Sequence, residues 1–111
     1  MTDSLIDQAV LDDLCDAMGD DFAAELVTTF LGDAPNMFAD LRTAAADQDA
    51  DGYRRAAHSI KSNAQVFGAK ALADQARDME LGSLSDAAVQ VPALEATFEQ
   101  TAAALRSLLD E

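Results

Sequence analysis

The stretch YRRAAHSIKSNAQVFG, residues 53–68, decides the fold. On a helix of about 3.6 residues per turn, its large and small apolar residues fall on one side. They recur at steps of four, three, four and three, a spacing that predicts an amphipathic helix with one face in a core. The residues of this stripe are Tyr53, Ala57, Ile60, Ala64 and Phe67. Gly68 follows as a natural helix stop.

Four further helices are predicted from the same kind of spacing on either side of this stretch. Asp20 or Asp21 is expected to cap the second helix, and Asp49 or Asp51 the third. The first helix is predicted over residues 7–18 and the fourth over 70–81. The apolar stripe of the second helix reaches Ala45. The fifth helix is expected to start after Ser85 or Asp86, and its stripe reaches Leu109.

Two prolines fall inside predicted helices. Proline lacks a backbone donor and its ring clashes with the preceding turn. Pro35 therefore predicts a bend or a local break in the second helix. Pro92 is expected either to start the regular part of the fifth helix or to kink it.

The fold class that follows is all-α. No stretch alternates apolar and polar residues as a half-buried strand does, and half of the 111 residues are hydrophobic, enough for a real core. Long amphipathic helices with short connections favour an antiparallel up-and-down four-helix bundle. The short first helix is extra and is expected to cover one end. We expect one domain, residues 1–111.

Charge and cysteine content limit the partners and the compartment. The net charge of −14 repels phosphate backbones and anionic membrane surfaces, so neither nucleic acid nor a membrane is expected as a partner. Cys15 is the lone cysteine; it predicts a reducing compartment and fits a packed core thiol better than a nucleophile. We see no leader and no apolar run long enough to span a bilayer, and expect a cytoplasmic location.

A second face of the 53–68 helix carries polar residues. Its members are Arg54, His58, Lys61, Ser62 and Gln65. The only histidine of the chain points roughly 140° away from the middle of the core stripe, so we expect its ring to be accessible to solvent. Four of the seven lysine and arginine residues lie between positions 54 and 70, around this ring.

This face suits acceptance of a phosphoryl group. A neutral imidazole offers a nitrogen lone pair as nucleophile, base or metal ligand. A lysine one turn away opposes protonation of the ring and stabilises an incoming anion. Ser62 is small and leaves room for another protein to approach. The interpretation is therefore that His58 is the acceptor and Lys61 stabilises the phosphoryl group.

Other chemistries fit less well. A metal site needs three or four converging ligands, and the Glu-x-x-His spacing of carboxylate bundle sites has Arg55 in place of the glutamate. No glycine-rich phosphate loop is present, so ATP binding is not expected. We predict no bound metal or cofactor.

The segment from His58 to Ala69, HSIKSNAQVFGA, closely resembles the core motif of histidine-containing phosphotransfer (Hpt) domains. That motif is a histidine, a lysine three residues later, a small residue after the lysine, and an apolar-glycine pair closing the helix. The likeness extends over nearly the whole chain, including the proline-containing segment 30–41 and the helix 72–80. Ser62 departs from the commonest pattern, which has glycine there.

The resemblance implies a phosphocarrier without catalytic machinery of its own, and so not an enzyme. Such domains relay a phosphoryl group between aspartates of receiver domains, which belong to response regulators or hybrid histidine kinases and supply Mg²⁺ themselves. By this analogy His58 carries the group on Nε2 and Lys61 helps to neutralise it. Glu80 lies where family members often hydrogen-bond the other ring nitrogen; an ordinary exposed helix acid is the alternative.

The docking surface is expected to surround His58. Arg54, Ser62 and Gln65 are candidates for close approach of the partner, although Gln65 equally fits plain surface. Leu11, Leu14 and Met18 form either an apolar patch beside the ring or core, and core is preferred for Leu14. A monomer is expected because the motif face must stay open. A start at Met1 favours a free-standing shuttle, with an excised piece of a larger protein as the alternative.

A second function remains open at this point. A docking or inhibitory module of the same fold that no longer transfers phosphoryl groups would share most of the sequence features. The intact pair of His58 and Lys61 argues against it.

Overall fold

The computed structural model describes residues 6–82 and 84–109, with side chains up to residue 107. Within these residues the secondary structure is helical and contains no strand, which confirms the predicted all-α class. No helix of this described part is both long enough and apolar enough to cross a membrane. The elements are α1 (Gln8–Met18), α2 (Asp20–Ala46), α3 (Ala50–Val66), α4 (Lys70–Leu81), a short 3-10 turn (Leu84–Asp86) and α5 (Ala87–Leu109).

Four of the helices pack around one core. Helix α2 packs on α3, α3 on α4, α4 on α5, and α5 back on α2, which closes a ring of four. Helices α2 and α3 are antiparallel, because Phe30 stacks on Phe67 at a centroid distance of 5.2 Å while Met37 lies against Asn63. The up-and-down order of the whole bundle stays a prediction.

The helix starts follow the predicted caps in α3 but not in α2. Asp49 is the N-cap of α3, and its carboxylate accepts a hydrogen bond from the Gly52 amide at 3.0 Å. The prediction that Asp20 or Asp21 caps α2 is wrong: Gly19 occupies the cap position, and both aspartates lie in the first turn. Negative charge there is favoured by the helix dipole, so the acids stabilise the same end in a different way.

Both prolines lie inside continuous helices. Helix α2 runs unbroken through Pro35, so a local break there is excluded. Buried residues lie on both sides of the proline, and their packing outweighs the lost backbone hydrogen bond. Pro92 follows the start of α5 by five residues and therefore does not begin that helix.

The turn between α3 and α4 anchors the first helix. Gly68 has a φ of +69°, a left-handed conformation that glycine adopts without a steric cost. Its carbonyl accepts a hydrogen bond from the Asp7 amide at 2.6 Å, and Asp7 in turn caps α1. Helix α1 thus covers the end of the bundle at which α3 stops, as predicted.

Substitution of Gly68 by alanine should destabilise the protein by about 2 kcal/mol or more. Alanine is strained in the left-handed conformation, and its Cβ would overlap with a neighbouring backbone atom. A Cβ at this position would lie 2.6 Å from the backbone oxygen of Asp7. Gly32→Ala is the matched control, since a Cβ there meets nothing within 4 Å. It should stabilise α2 by about 0.5–1 kcal/mol. Urea unfolding measures both; equal effects would contradict this role of the turn.

Candidate functional site

Helix α3 divides into a buried and an exposed side. Every residue of the predicted core stripe is at most 4 % exposed. The imidazole of His58 lies on the other side, with 57 % of its side chain exposed. The solvent-accessible histidine expected from the helical spacing is therefore present.

Glu80 reaches this ring from the neighbouring helix. It lies in the last turn of α4, directly after the buried Met79, so its side chain leaves the rim of the apolar face. A carboxylate at the C-terminal end of a helix is opposed by the helix dipole. Contacts outside the helix must therefore hold it, and two are present.

The two carboxylate oxygens of Glu80 take one partner each. Oε2 lies 2.9 Å from Nδ1 of His58, and Oε1 lies 2.7 Å from Nζ of Lys61. Lys61 and Glu80 are mostly shielded, with side chains 19 % and 21 % exposed, whereas the ring stays open. We call His58, Lys61 and Glu80 the bridged triad. In it Lys61 faces the carboxylate, a pairing that the sequence did not predict.

The contact with Glu80 determines which nitrogen of the ring carries the hydrogen atom. The hydrogen bond from Lys61 is the main cause that lowers the pKa of Glu80; burial opposes this shift, and the hydrogen bond from His58 adds a smaller lowering. An ionised carboxylate only accepts hydrogen bonds, so Nδ1 must carry a hydrogen atom. In the neutral ring, Nε2 then holds the free lone pair and is the nucleophilic atom.

Among the described side chains, the hydroxyl of Ser62 lies within hydrogen-bonding distance of the other ring nitrogen, Nε2. The hydroxyl oxygen of Ser62 lies 3.5 Å from Nε2, one helical turn further along α3. Ser62 is half-buried and adds little bulk. The side of the ring that carries the lone pair is consequently accessible to a second protein.

The other predicted site residues lie outside the bridged triad. Arg54 is exposed one turn before His58 and lies 4.0 Å from Asp51, to which it is ion-paired. Gln65 is exposed and lines a groove with Val10 and Gly68, beyond the ring. The structure thus brings Ser62 and Glu80 to the histidine, and leaves Arg54 and Gln65 on the surrounding surface.

Apolar side chains are also exposed on α1 and on α3. Leu11 is core and Leu14 is packed half-buried against the core, whereas Met18 is 50 % exposed. Sequence reasoning missed Val66, which is 49 % exposed one turn beyond Ser62. Its position outside the core stripe of α3 was the available signal.

Metal binding and thiol chemistry are not supported by the described residues. The described residues 6–82 and 84–109 contain no group of three or more side chains able to hold a metal ion. Burial raises the pKa of the Cys15 thiol, and the nearby Asp20, Asp12 and Asp16 raise it further. A thiol with a raised pKa is a poor nucleophile.

Comparison with known protein families gives one result. The family model described as Hpt domain matches residues 25–106, well over half of the chain. The matched range contains the bridged triad and Ser62. Neither the curated proteins nor the solved structures give a match.

The pH dependence of stability should reveal the charge on Glu80. Its folded-state pKa lies below the ordinary 4.5, so the stabilisation it provides is complete above that value. The stabilisation is lost as the pH falls through the lower folded-state pKa. Glu80→Gln should therefore reduce the melting temperature at neutral pH, and the difference from wild type should shrink in acid.

Thermal melts between about pH 7 and pH 3 measure this difference. Glu99→Gln on α5 is the matched control for loss of one exposed negative charge. A gap between wild type and Glu80→Gln that stays constant over the whole range would contradict the bridged triad.

Proposed function

The chain belongs to the Hpt domain family, and from this premise we propose that it is a phosphorelay intermediate that carries a phosphoryl group on His58. Hpt domains act in phosphotransfer within two-component signalling, and they typically interact with receiver domains of response regulators. We propose that His58 exchanges the group with the aspartate of such a receiver, in a response regulator or a hybrid histidine kinase.

One observation carries the proposal: Glu80 binds Nδ1 of the single histidine at 2.9 Å, while 57 % of the histidine side chain stays exposed. A phosphoryl acceptor needs a lone pair directed towards the donor and a ring that does not rotate. The carboxylate supplies both by holding the Nδ1–H tautomer. Nε2 is then the atom that attacks the phosphorus.

Charge also favours transfer at this site. When Nε2 bonds to phosphorus, the ring still carries its proton on Nδ1 and becomes positively charged. Glu80 stabilises that charge directly. Lys61, on the other carboxylate oxygen, supplies a positive charge for the phosphoryl oxygens, which are dianionic. The positive charge that forms on the ring thus has a negative partner in Glu80, and the phosphoryl oxygens have a positive partner in Lys61.

The remaining chemistry belongs to the partner. Hpt domains are phosphocarriers and generally not enzymes. We propose that the receiver supplies the Mg²⁺ ion and the acidic pocket, and that it docks on the surface around His58, including Ser62 and the exposed Val66 and Met18. A transient interface of this kind buries a modest apolar centre with a polar rim. Monomeric state and cytoplasmic location stay predictions.

Incubation with a phosphorylated receiver domain tests the acceptor. The chain should take up label that is labile in acid and stable in base, as expected of a phosphorus–nitrogen bond. His58→Gln, which keeps a polar side chain of similar size, should take up none. Label that survives in this variant, or no label on the wild type with any receiver, would rule out the proposal.

Removal of the lysine tests the charge argument. Lys61→Ala should slow phosphoryl transfer by roughly tenfold or more, because a cation near the transferred group is lost. Circular dichroism should show an intact helical fold. Arg106→Ala on α5 removes an exposed cation far along the chain and is the matched control. Equal rates for wild type and Lys61→Ala would show that Lys61 takes no part in the transfer.

A further inference from the structure

We propose that Ser62 is a direct hydrogen-bond donor in the transfer, first to Nε2 of the resting ring and then to a phosphoryl oxygen on that nitrogen. This inference rests on the proposed function of His58 and assigns a role to the hydroxyl of one further side chain. It predicts that the lifetime of the phosphorylated histidine depends on Ser62.

The direction of the hydrogen bond follows from the bridged triad. Glu80 fixes the hydrogen on Nδ1, which leaves Nε2 as an acceptor in the neutral ring. The Ser62 hydroxyl, 3.5 Å from Nε2, is therefore the donor. At this distance the bond is long and weak, so an arriving phosphorus atom displaces it at little cost.

Ser62 differs from three other hydroxyl residues inside the helices. Thr28, Thr29 and Thr101 each donate to the backbone carbonyl four residues earlier, at 2.8–3.0 Å. This is the usual local bond of a helical serine or threonine. Ser62 instead faces the side chain of the residue four positions earlier, His58. Its hydroxyl is thus directed at the reacting atom.

The group transfer balances without another reactant. An acyl phosphate on the receiver aspartate is the donor: the Nε2–P bond forms, the P–O bond to the aspartate breaks, and the carboxylate leaves with the electron pair. No proton leaves Nε2, because it carries none. The proton on Nδ1 stays in the bond to Glu80. The Ser62 hydroxyl, released from Nε2, rotates and donates its hydrogen bond to a phosphoryl oxygen instead.

The test uses a small donor and so avoids the partner. Phosphoramidate transfers its phosphoryl group to histidine, and this chain has one histidine. The half-life of the phosphorylated protein is then measured for wild type, Ser62→Ala and Ser59→Ala. Ser59 is the matched control, an exposed serine of the same helix.

Ser62→Ala should shorten the half-life about fivefold, the effect of losing one hydrogen bond of ordinary strength. Ser59→Ala should leave it unchanged. Both variants should melt at or above the wild-type temperature, since alanine favours helices. An unchanged or longer half-life in Ser62→Ala would overturn the inference.

Failure of this inference and failure of the proposed function give different results. Should a phosphorylated receiver label His58 while Ser62→Ala keeps the wild-type half-life, only the role of Ser62 falls. If instead Ser62→Ala shortens the half-life but no receiver exchanges phosphoryl groups with the chain, the contact stands and the relay function falls.

Discussion

The site depends on one carboxylate of α4, which binds two side chains of α3. Glu80 accepts from Nδ1 of His58 at 2.9 Å and from Nζ of Lys61 at 2.7 Å, with one oxygen for each. Its place in the last turn of α4 is unfavourable for a negative charge, so these contacts are what stabilise it. The same contacts decide which ring nitrogen is left with a lone pair. The reactivity proposed for His58 thus follows from a residue that never touches the phosphoryl group.

The bundle provides the distance that the carboxylate needs. Helices α3 and α4 share the most extensive contact between helices in the described residues. Both helices bury small residues, among them Ala57, Ala64 and Ala76, and small side chains allow packed helices to approach closely. The left-handed Gly68 turns the chain between them. The core stripe of α3 then sets the rotation of the helix, which directs His58 outward beside Glu80.

Local sequence patterns predicted those features that depend on one helix. The stripe from Tyr53 to Phe67 gave both the core and the exposed ring, since both follow from the helical repeat. Position across two helices was harder: Glu80 stayed open between a partner of the ring and a plain surface acid, and its bond to Lys61 was not foreseen. Such contacts depend on packing distances that no spacing in the chain encodes. Packing also explains why α2 continues through Pro35, because the burial of its neighbours outweighs the low helix propensity of proline.

The central claim is that Glu80 occupies Nδ1 and so directs the phosphoryl group to Nε2. It is tested most directly by a phosphorus–nitrogen NMR correlation on ¹⁵N-labelled protein phosphorylated by a receiver domain. The account predicts that ³¹P couples to Nε2, with the proton retained on Nδ1. Coupling of ³¹P to Nδ1 would contradict it.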